Sequence, residues 1–307
     1  MLLRPLLGLA DRIIAALPVW TAYALADLAG NTWYRLAPVR RRLVAANLAR
    51  VCAATGAPTR GPRFRRLVRR AFVEHARYYL ELLRAPHYPS ERIDEHVTII
   101  DWAEHEATLR GGAAVIVSPH LGNFEPMGAF FAAHGLPVTS PVEEIEPPEL
   151  YEFIRSRRGA GRGVELVPLK QAARPVLAAL RRGEIAGIIA DRDLEGDGLP
   201  ITLFGHPTTL PMGPAQLVVT SGAAFIAGSC LRIGPDLFRG MGERIPYQSS
   251  GDRRADAERL TRAMAMHFER LIALAPEQWW GSFQTIWPDV APGGSPDSTI
   301  RGIGDQT

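Results

Sequence analysis

The chain has little of several features that identify common classes of protein. Its 307 residues include only two cysteines, Cys52 and Cys230, which fit neither a metal-ligand spacing nor a disulfide framework. No apolar run reaches, without interruption, the roughly 20 residues that a membrane-spanning helix needs. A Gly-x-Ser-x-Gly elbow, a P-loop and a dinucleotide fingerprint are all missing. These absences argue against several enzyme classes and predict a protein of a reduced compartment.

Positive charge is concentrated at the N-terminus. The net charge of the chain is +3, yet residues 1–100 hold sixteen arginines, no lysine and seven acidic residues, a balance of +9 that leaves −6 for the rest. Such a basic third favours an anionic surface, either nucleic acid or lipid. Its aromatic residues occur at helical spacing among Leu and Ala, which favours lipid. We expect an anionic membrane surface as partner and no nucleic acid; a solvated helix face is the alternative.

The first 34 residues are strongly apolar but do not form one uninterrupted segment. Charged residues interrupt them at positions 4, 11, 12 and 27, and Pro18 lies in the longest uncharged stretch. We interpret them as two amphipathic helices, which either lie in a membrane interface or pack on the rest of the protein.

Beyond residue 90, short apolar runs alternate with helical stretches. Ala113–Ser118 and Ile185–Ala190 are typical of buried strands, and Asn123–Ala133 of a helix capped by Asn123. The alternation predicts an α/β fold with a central, mostly parallel or mixed sheet flanked by helices and a helical N-terminal region. We expect a membrane-associating helical region over 1–90, an α/β domain over 91–290 and a disordered tail over 291–307.

Two polar blocks directly follow buried strands, at the sheet edge where ligands collect in open α/β folds. The first contains His120 and Glu125, and the second is Asp191-Arg192-Asp193. If the first loop folds back, Glu125 can accept a hydrogen bond from His120 and leave the other imidazole nitrogen basic toward a hydroxyl. Gly122 could place backbone N–H groups where an oxyanion develops.

Plainer interpretations of both blocks exist. A histidine near a strand end is often a satisfied structural residue, and the second block could be a salt-bridged loop. Glu125 and the two aspartates could also bind a hard cation, but Arg192 offers the aspartates an internal partner, so we expect no metal.

The ordered blocks resemble the lipid A biosynthesis (lauroyl/myristoyl) acyltransferase family of the lysophospholipid acyltransferase superfamily, and within it the phosphatidylinositol mannoside acyltransferases. His120 and Glu125 match the family's His-x4-Asp/Glu motif, and Asp191-Arg192-Asp193 matches its second block. The remaining blocks, within about residues 35–290, are Asn47-Leu48-Ala49-Arg50, Ala76-Arg77-Tyr78-Tyr79, Phe204-Gly205, Leu210–Ala215 and Pro276–Trp280. This branch tends to exchange the two carboxylates, with Glu at 191 and Asp at 125, which leaves open which one supports the histidine.

The resemblance implies an O-acyltransferase without a cofactor, whose donor substrate is acyl-CoA or acyl carrier protein and whose acceptor is a membrane glycolipid or lysophospholipid. It also implies a peripheral or monotopic position on the cytoplasmic face of the plasma membrane. The catalytic residues expected are His120, Glu125 and Asp191. The residues expected to contact substrate are Gly122, Asn123, Arg157, Arg158, Arg192 and Asp193. With Arg155, the arginines at 157 and 158 are candidates for a phosphate contact, or form an exposed basic helix face.

Two rival functions use the same features. A thioesterase would direct the same base at water, and a lipid-binding protein would keep the fold without turnover. The intact His-x4-Glu and Asp-Arg-Asp blocks favour an active enzyme over the second.

Overall fold

The N-terminal region is helical. The computed structural model describes residues 3–84, 87–88, 90–144, 147–157 and 163–290, and the tail expected over 291–307 lies outside them. Four helices open the chain: α1 (Leu3–Ala16), α2 (Val19–Leu36), α3 (Pro38–Ala54) and α4 (Gly61–Arg84). Pro18 separates the first two helices, because proline cannot donate the backbone hydrogen bond that a continuing helix requires. The predicted pair of N-terminal helices is therefore confirmed.

Strands and helices alternate through the rest of the chain. The strands are β1 (Val97–Ile99), β2 (Ala114–Ser118), β3 (Val138–Val142), β4 (Val164–Pro168), β5 (Ile185–Ile189), β6 (Leu199–Leu203), β7 (His206–Leu210), β8 (Ala224–Gly234) and β9 (Leu237–Arg244). The helices are α5 (Ile93–His96), α6 (Trp102–Gly111), α7 (Glu125–Ala133), α8 (Pro148–Arg157), α9 (Ala173–Arg181), α10 (Gly213–Ser221) and α11 (Arg253–Leu274).

Seven strands form one mixed sheet in the order β1-β9-β8-β2-β5-β3-β4. Among the described residues of this sheet, β8 and β9 pair antiparallel and the other neighbouring strands run parallel. The short apolar runs lie at its centre, as expected for strands that are buried on both faces. The predicted fold class is confirmed. A separate antiparallel hairpin, β6–β7, and the edge helix α6 have no counterpart in the sequence-based expectations.

Each face of the sheet carries its own apolar core. Val115 and Val117 of β2 point into a core that contains Phe268 of α11. Ala114 and Ile116 alternate to the opposite face, where Phe130 of α7 packs. This period-two alternation assigns every strand residue to a face. The cavity described below lies on the face of the sheet that packs against α6 and α7.

The N-terminal helices pack closely on one another and on the domain. Gly30 of α2 lies so near α4 that a Cβ at this position would fall 2.6 Å from the Cα of Val73. The opposite face of α2 is exposed, with Trp20 and Leu28 at 74% and 62% of their full accessibility. Within the described parts of the chain, no helix combines the length and the apolar character needed to cross a bilayer.

Candidate active site

Strand register brings His120 and Asp191 together. Ser118 at the end of β2 is paired in parallel register with Ile189 at the end of β5. His120 and Asp191 each lie two residues beyond this pair, so both leave the same edge of the sheet side by side. The site therefore lies at the carboxyl ends of the central strands, where the sequence predicts it.

The imidazole of His120 is held by the carboxylate of Asp191. Its Nδ1 lies 2.5 Å from one carboxylate oxygen, and its backbone N–H donates to the other at 2.9 Å. A carboxylate accepts hydrogen bonds, so Nδ1 carries the hydrogen and Nε2 keeps a free lone pair. The imidazole side chain retains 15% of its accessibility, while that of Asp191 has none. This is the arrangement of an oriented base with one nitrogen directed away from its partner.

Asp191 is a buried but ionised acid. Burial would raise the pKa of its carboxyl, yet the electrostatic interaction and hydrogen bond with the His120 imidazole, and hydrogen bonds from the Trp279 indole and the His120 backbone, hold that pKa below its ordinary value. The indole Nε1 of Trp279 donates to the carboxylate at 2.8 Å. Because these donors saturate it, Asp191 can compensate a charge on the imidazole without taking up a proton itself.

A short C-terminal segment closes around this pair. Trp279 is fully buried and forms an isolated β-bridge with Leu121, the residue after the histidine. The Trp280 ring meets the His120 imidazole edge to face, with centroids 4.2 Å apart. The sequence marks Pro276–Trp280 as one of the resembling blocks, but it assigns the tryptophans no role. The β-bridge between Leu121 and Trp279, which are more than 150 residues apart, brings the two tryptophans against His120 and Asp191.

Gly122 turns the loop that follows the histidine. Its φ of +69° is readily adopted by glycine, and a Cβ would fall 2.1 Å from the carbonyl oxygen of Cys230. The Gly122 N–H donates to the Gln278 carbonyl at 3.0 Å. This N–H is therefore engaged within the protein rather than directed at an oxyanion, and a substrate contact of Gly122 stays a prediction.

Asn123 is also committed to the protein rather than to a substrate. Its side chain has no accessible surface. The amide nitrogen donates to Glu81 at 2.8 Å, and the amide oxygen accepts from the Glu125 backbone N–H at 3.0 Å. The expected substrate contact is therefore not what the structure shows. The helix α7 begins two residues later than predicted, and its N-cap is Phe124 rather than the predicted Asn123, which accepts the Glu125 N–H from one position before the cap.

Glu125 occupies a different position from the one we expected. It is the first residue of α7 and lines the cavity beside His120, and the Tyr78 hydroxyl lies 3.4 Å from its carboxylate. Asp191, rather than Glu125, is therefore the carboxylate that holds Nδ1 of the histidine, and the catalytic role expected for Glu125 stays a prediction. The exchange of Asp and Glu between positions 125 and 191 left open which carboxylate contacts the histidine. The register of β2 and β5 brings the one at position 191 to Nδ1.

The second polar block divides into two roles. Arg192 lines the cavity, and its guanidinium lies 3.6 Å from Glu143. Asp193 instead accepts the backbone N–H groups of Gly196 and Gly198, at 2.9 and 3.0 Å, and so organises its own loop. These hydrogen bonds engage both carboxylate oxygens of Asp193 within the protein and give no support to the expected substrate contact. Arg157 is the last residue of α8, and Arg158 lies outside the described residues.

A cavity of about 420 Å³ adjoins the histidine. It runs under α6 and α7 along the sheet face that carries Ile116, Gly187 and Ile226, one row of residues in register across β5, β2 and β8. Its walls are predominantly apolar. Tyr79 and Leu194, which also line it, are 51% and 45% exposed, so the cavity reaches the surface near them.

Together these features define a class of enzyme. A histidine whose Nδ1 is bound by a buried carboxylate can accept a proton at Nε2, and an apolar cavity beside it can hold a hydrocarbon chain. That combination suits group transfer to or from a lipid.

Comparison with known proteins identifies the family. The family model for bacterial lipid A biosynthesis acyltransferases matches residues 6–284, and the chain belongs to this family. A phosphatidylinositol mannoside acyltransferase of Mycolicibacterium smegmatis is 32% identical over 222 residues, covering 69% of this chain and 70% of the relative. One from Mycobacterium tuberculosis H37Rv is 31% identical over 241 residues, 76% of this chain and 73% of the relative. The resemblance stated from the motifs is confirmed, and the chain is an O-acyltransferase of this type.

Proposed function

We propose that the enzyme transfers a fatty acyl group from acyl-CoA or acyl carrier protein to a hydroxyl of a membrane glycolipid, with His120 as general base. The observation that carries this proposal is the His120–Asp191 pair beside an apolar cavity. The relatives' names supply the acceptor class, a phosphatidylinositol mannoside.

The transfer is direct and needs no acyl-enzyme. Nε2 of His120 takes the proton of the acceptor hydroxyl as its oxygen bonds to the thioester carbonyl carbon. The tetrahedral oxyanion collapses, the carbon–sulfur bond breaks, and the thiolate leaves and receives the proton from the imidazolium. Asp191 stabilises the imidazolium between these two proton transfers. None of these proton-transfer and bond-breaking steps requires a metal ion.

The apolar cavity holds the acyl chain of the donor. Its sheet-facing wall carries Gly187, which has no side chain to narrow the cavity, and its helix-facing wall carries Met127 and Phe131. Burying a hydrocarbon chain here is favourable by about 0.8 kcal/mol for each CH₂ removed from water. Chain burial beside the histidine also places the thioester carbonyl near Nε2, which lowers the entropic cost of reaction.

Two arginines of the cavity lining suit an anionic part of the donor or the acceptor. Arg192 faces the cavity, and Arg155 of α8 also lines it. The Nε of Arg155 is buried and has no hydrogen-bond partner among the described residues. The rest of this guanidinium is partly exposed and lies 3.6 Å from Glu152, so a phosphate oxygen at Nε would add a charge-assisted bond to an arginine that already has one acidic neighbour.

The N-terminal helices hold the enzyme at an anionic membrane surface. The exposed apolar residues of α2, Trp20 and Leu28, lie on the side of that helix opposite its packed face. Beside it, the exposed Arg69 and the half-buried Arg77 of α4 reach back to α2 at Asn31 and Asp27. An apolar strip flanked by cations is typical of a helix that lies in the plane of a membrane interface. These features support our proposal of a peripheral position on the membrane, for which the family resemblance implies the cytoplasmic face of the plasma membrane.

The test is acceptor dependence. Purified enzyme is incubated with a long-chain acyl-CoA and phosphatidylinositol mannoside in mixed micelles, and both acylated glycolipid and free fatty acid are measured by mass spectrometry. The proposal predicts acylated glycolipid that depends on the acceptor. Free fatty acid formed at the same rate without acceptor would identify a thioesterase, and no thiol release at all would identify a lipid-binding protein. His267→Ala is the matched control for His120→Ala, because His267 lies on α11 and pairs with Glu243 away from the cavity.

A further inference from the structure

A buried ionic cluster lies behind the active-site loop. Arg232 of β8 forms ion pairs with Glu74 and Glu81 of α4. The three side chains are 4%, 4% and 0% accessible. Taking such charges out of water is expensive, and replacing them with apolar residues is often neutral or stabilising. A gain in stability therefore does not explain why these buried charges lie beside the active-site loop.

Glu81 is the member of the cluster that reaches the loop. Its carboxylate accepts hydrogen bonds from Arg232, from the Tyr23 hydroxyl at 2.7 Å and from the Asn123 amide nitrogen at 2.8 Å. An ion-paired carboxylate has no hydrogen to donate. Glu81 can therefore accept a hydrogen bond from the NH₂ group of Asn123. If the amide were flipped, its carbonyl oxygen would face the Glu81 carboxylate oxygen and the two would repel each other.

The orientation of this amide decides where α7 begins. With its nitrogen on Glu81, the Asn123 oxygen is left to accept the Glu125 backbone N–H at 3.0 Å. The Asn123 backbone N–H donates to the Cys230 carbonyl at 2.8 Å, which ties the same residue to β8. Glu125 thereby starts the helix with its side chain in the cavity, and the loop from His120 is fixed at its far end.

We propose that Glu81 is a positioning residue for the acyl transfer, acting through the orientation of the Asn123 amide on the loop that carries His120 and Glu125. This proposal rests on the proposed function, since it assigns Glu81 a part in that same reaction. Glu81 touches no substrate. Its charge, held in place by Arg232, selects one of two amide orientations and so sets the first turn of α7.

A double-mutant cycle tests this orientation rule. Asn123→Asp keeps the acceptor for the Glu125 N–H but turns a carboxylate toward Glu81. We expect kcat to fall, by up to about 100-fold for a misplacement of catalytic groups, while KM for the acyl donor changes little. Glu81→Gln restores a donor opposite the new aspartate, so the double variant Glu81→Gln/Asn123→Asp should recover much of the lost kcat. Rescue of one substitution by another measures their coupling directly.

The control removes a different hydrogen bond from the same carboxylate. Tyr23→Phe deletes the Tyr23–Glu81 bond, together with the bond that the same hydroxyl accepts from the Asp236 backbone N–H, but leaves Glu81 and its bond to Asn123 in place, so we expect kcat to stay near wild type. Should Tyr23→Phe lower kcat as far as Asn123→Asp does, or the double variant be no faster than the single one, the positioning role is wrong. If Asn123→Asp does not fold, a folded and active double variant still supports the rule, and an unfolded or inactive one overturns it. Acyl transfer by the wild type, measured alongside, separates these failures from failure of the proposed function.

Discussion

His120 and Asp191 face one another because each lies two residues beyond a position where β2 and β5 are paired. The pairing of Ser118 with Ile189 brings their loops out of the same sheet edge, and the imidazole Nδ1 ends 2.5 Å from the carboxylate. The register of β2 and β5 thus sets the geometry of the base. Consequences for catalysis, stability and membrane binding follow from this arrangement and its surroundings.

Asp191 is expected to matter more to turnover than the other two carboxylates. Asp191→Asn removes the charge that stabilises the imidazolium and lets the imidazole adopt the wrong tautomer, so kcat should fall by about 10²–10⁴. Glu125→Gln should cost less, because Glu125 lines the cavity without holding Nδ1. Asp193→Asn should cost least, since Asp193 organises its own loop.

The measurement for the three carboxylates is kcat for acyl transfer with folded, purified variants. The predicted order of loss is Asp191→Asn, then Glu125→Gln, then Asp193→Asn. An enzyme that tolerates Asp191→Asn but not Glu125→Gln would mean that the carboxylate partner changes when substrate binds.

His75 should make the protein lose stability in acid. Burial, with the electrostatic effects of Arg40 and His120, lowers its pKa from 6.5 to about 3. Between these values the unfolded chain binds a proton that the folded protein does not. The free energy of unfolding therefore falls as pH falls through this window, by at most about 1.4 kcal/mol per pH unit from this residue.

The variant that checks this is His75→Phe. The ring packs among aromatic residues, 4.3 Å from Phe283 between centroids, and Nδ1 has no hydrogen-bond partner among the described residues. Phenylalanine should therefore fit without losing a hydrogen bond at this atom. Urea unfolding from pH 7 to pH 4 should give a shallower decline in unfolding free energy for the variant. Parallel curves for the two proteins would show that His75 does not titrate in this way.

The basic face of α4 should drive binding to anionic membranes. Arg63, Arg65 and Arg66 are exposed, and near an anionic leaflet each is worth about 1 kcal/mol. Reversing all three to Glu should weaken sedimentation with phosphatidylserine-containing vesicles, and added salt should reduce wild-type binding in the same direction. The matched control reverses three exposed arginines of α11, at positions 253, 254 and 262. Equal loss from both triple variants would show that net charge, not this face, controls binding.

Gly187 should limit the length of the acyl chain. A Cβ at this position would lie 3.2 Å from Val138, on the cavity wall. Gly187→Val should narrow the cavity and raise KM for long-chain acyl-CoA more than for short-chain acyl-CoA. Gly111→Ala is the control, because nothing lies within 4 Å of a Cβ there. An unchanged chain-length preference in Gly187→Val would place the acyl chain elsewhere.

Local sequence pattern predicts the centre of the fold well and its periphery poorly. The runs at 113–118 and 185–190 are short, apolar and rich in β-branched residues, which is typical of strands buried on both faces. In contrast, β9 contains Gly240 and Gly242 among charged residues, and the β6–β7 hairpin contains Pro200 and Pro207. Their strand structure depends on pairing with a neighbour, which no local pattern records.

The site shows the same division between local and long-range information. Position after a strand identifies His120 and Asp191, because polar residues that interrupt an apolar run seldom serve packing. Spacing along the chain, however, suggests Glu125 as the histidine's partner, because a short loop that folds back can bring residues five apart into contact. The true partner lies 71 residues away and is selected by strand register. Trp279 and Glu81, which act on this loop from distant elements, carry no local signal of that role.

The most direct test of the account is turnover by His120→Ala. With the base removed, acylation of phosphatidylinositol mannoside by acyl-CoA should fall by about 10²–10⁴, while circular dichroism and vesicle binding match the wild type. His267→Ala, measured in parallel, should retain its activity. A folded His120→Ala enzyme that acylates the glycolipid at close to the wild-type rate would contradict the account.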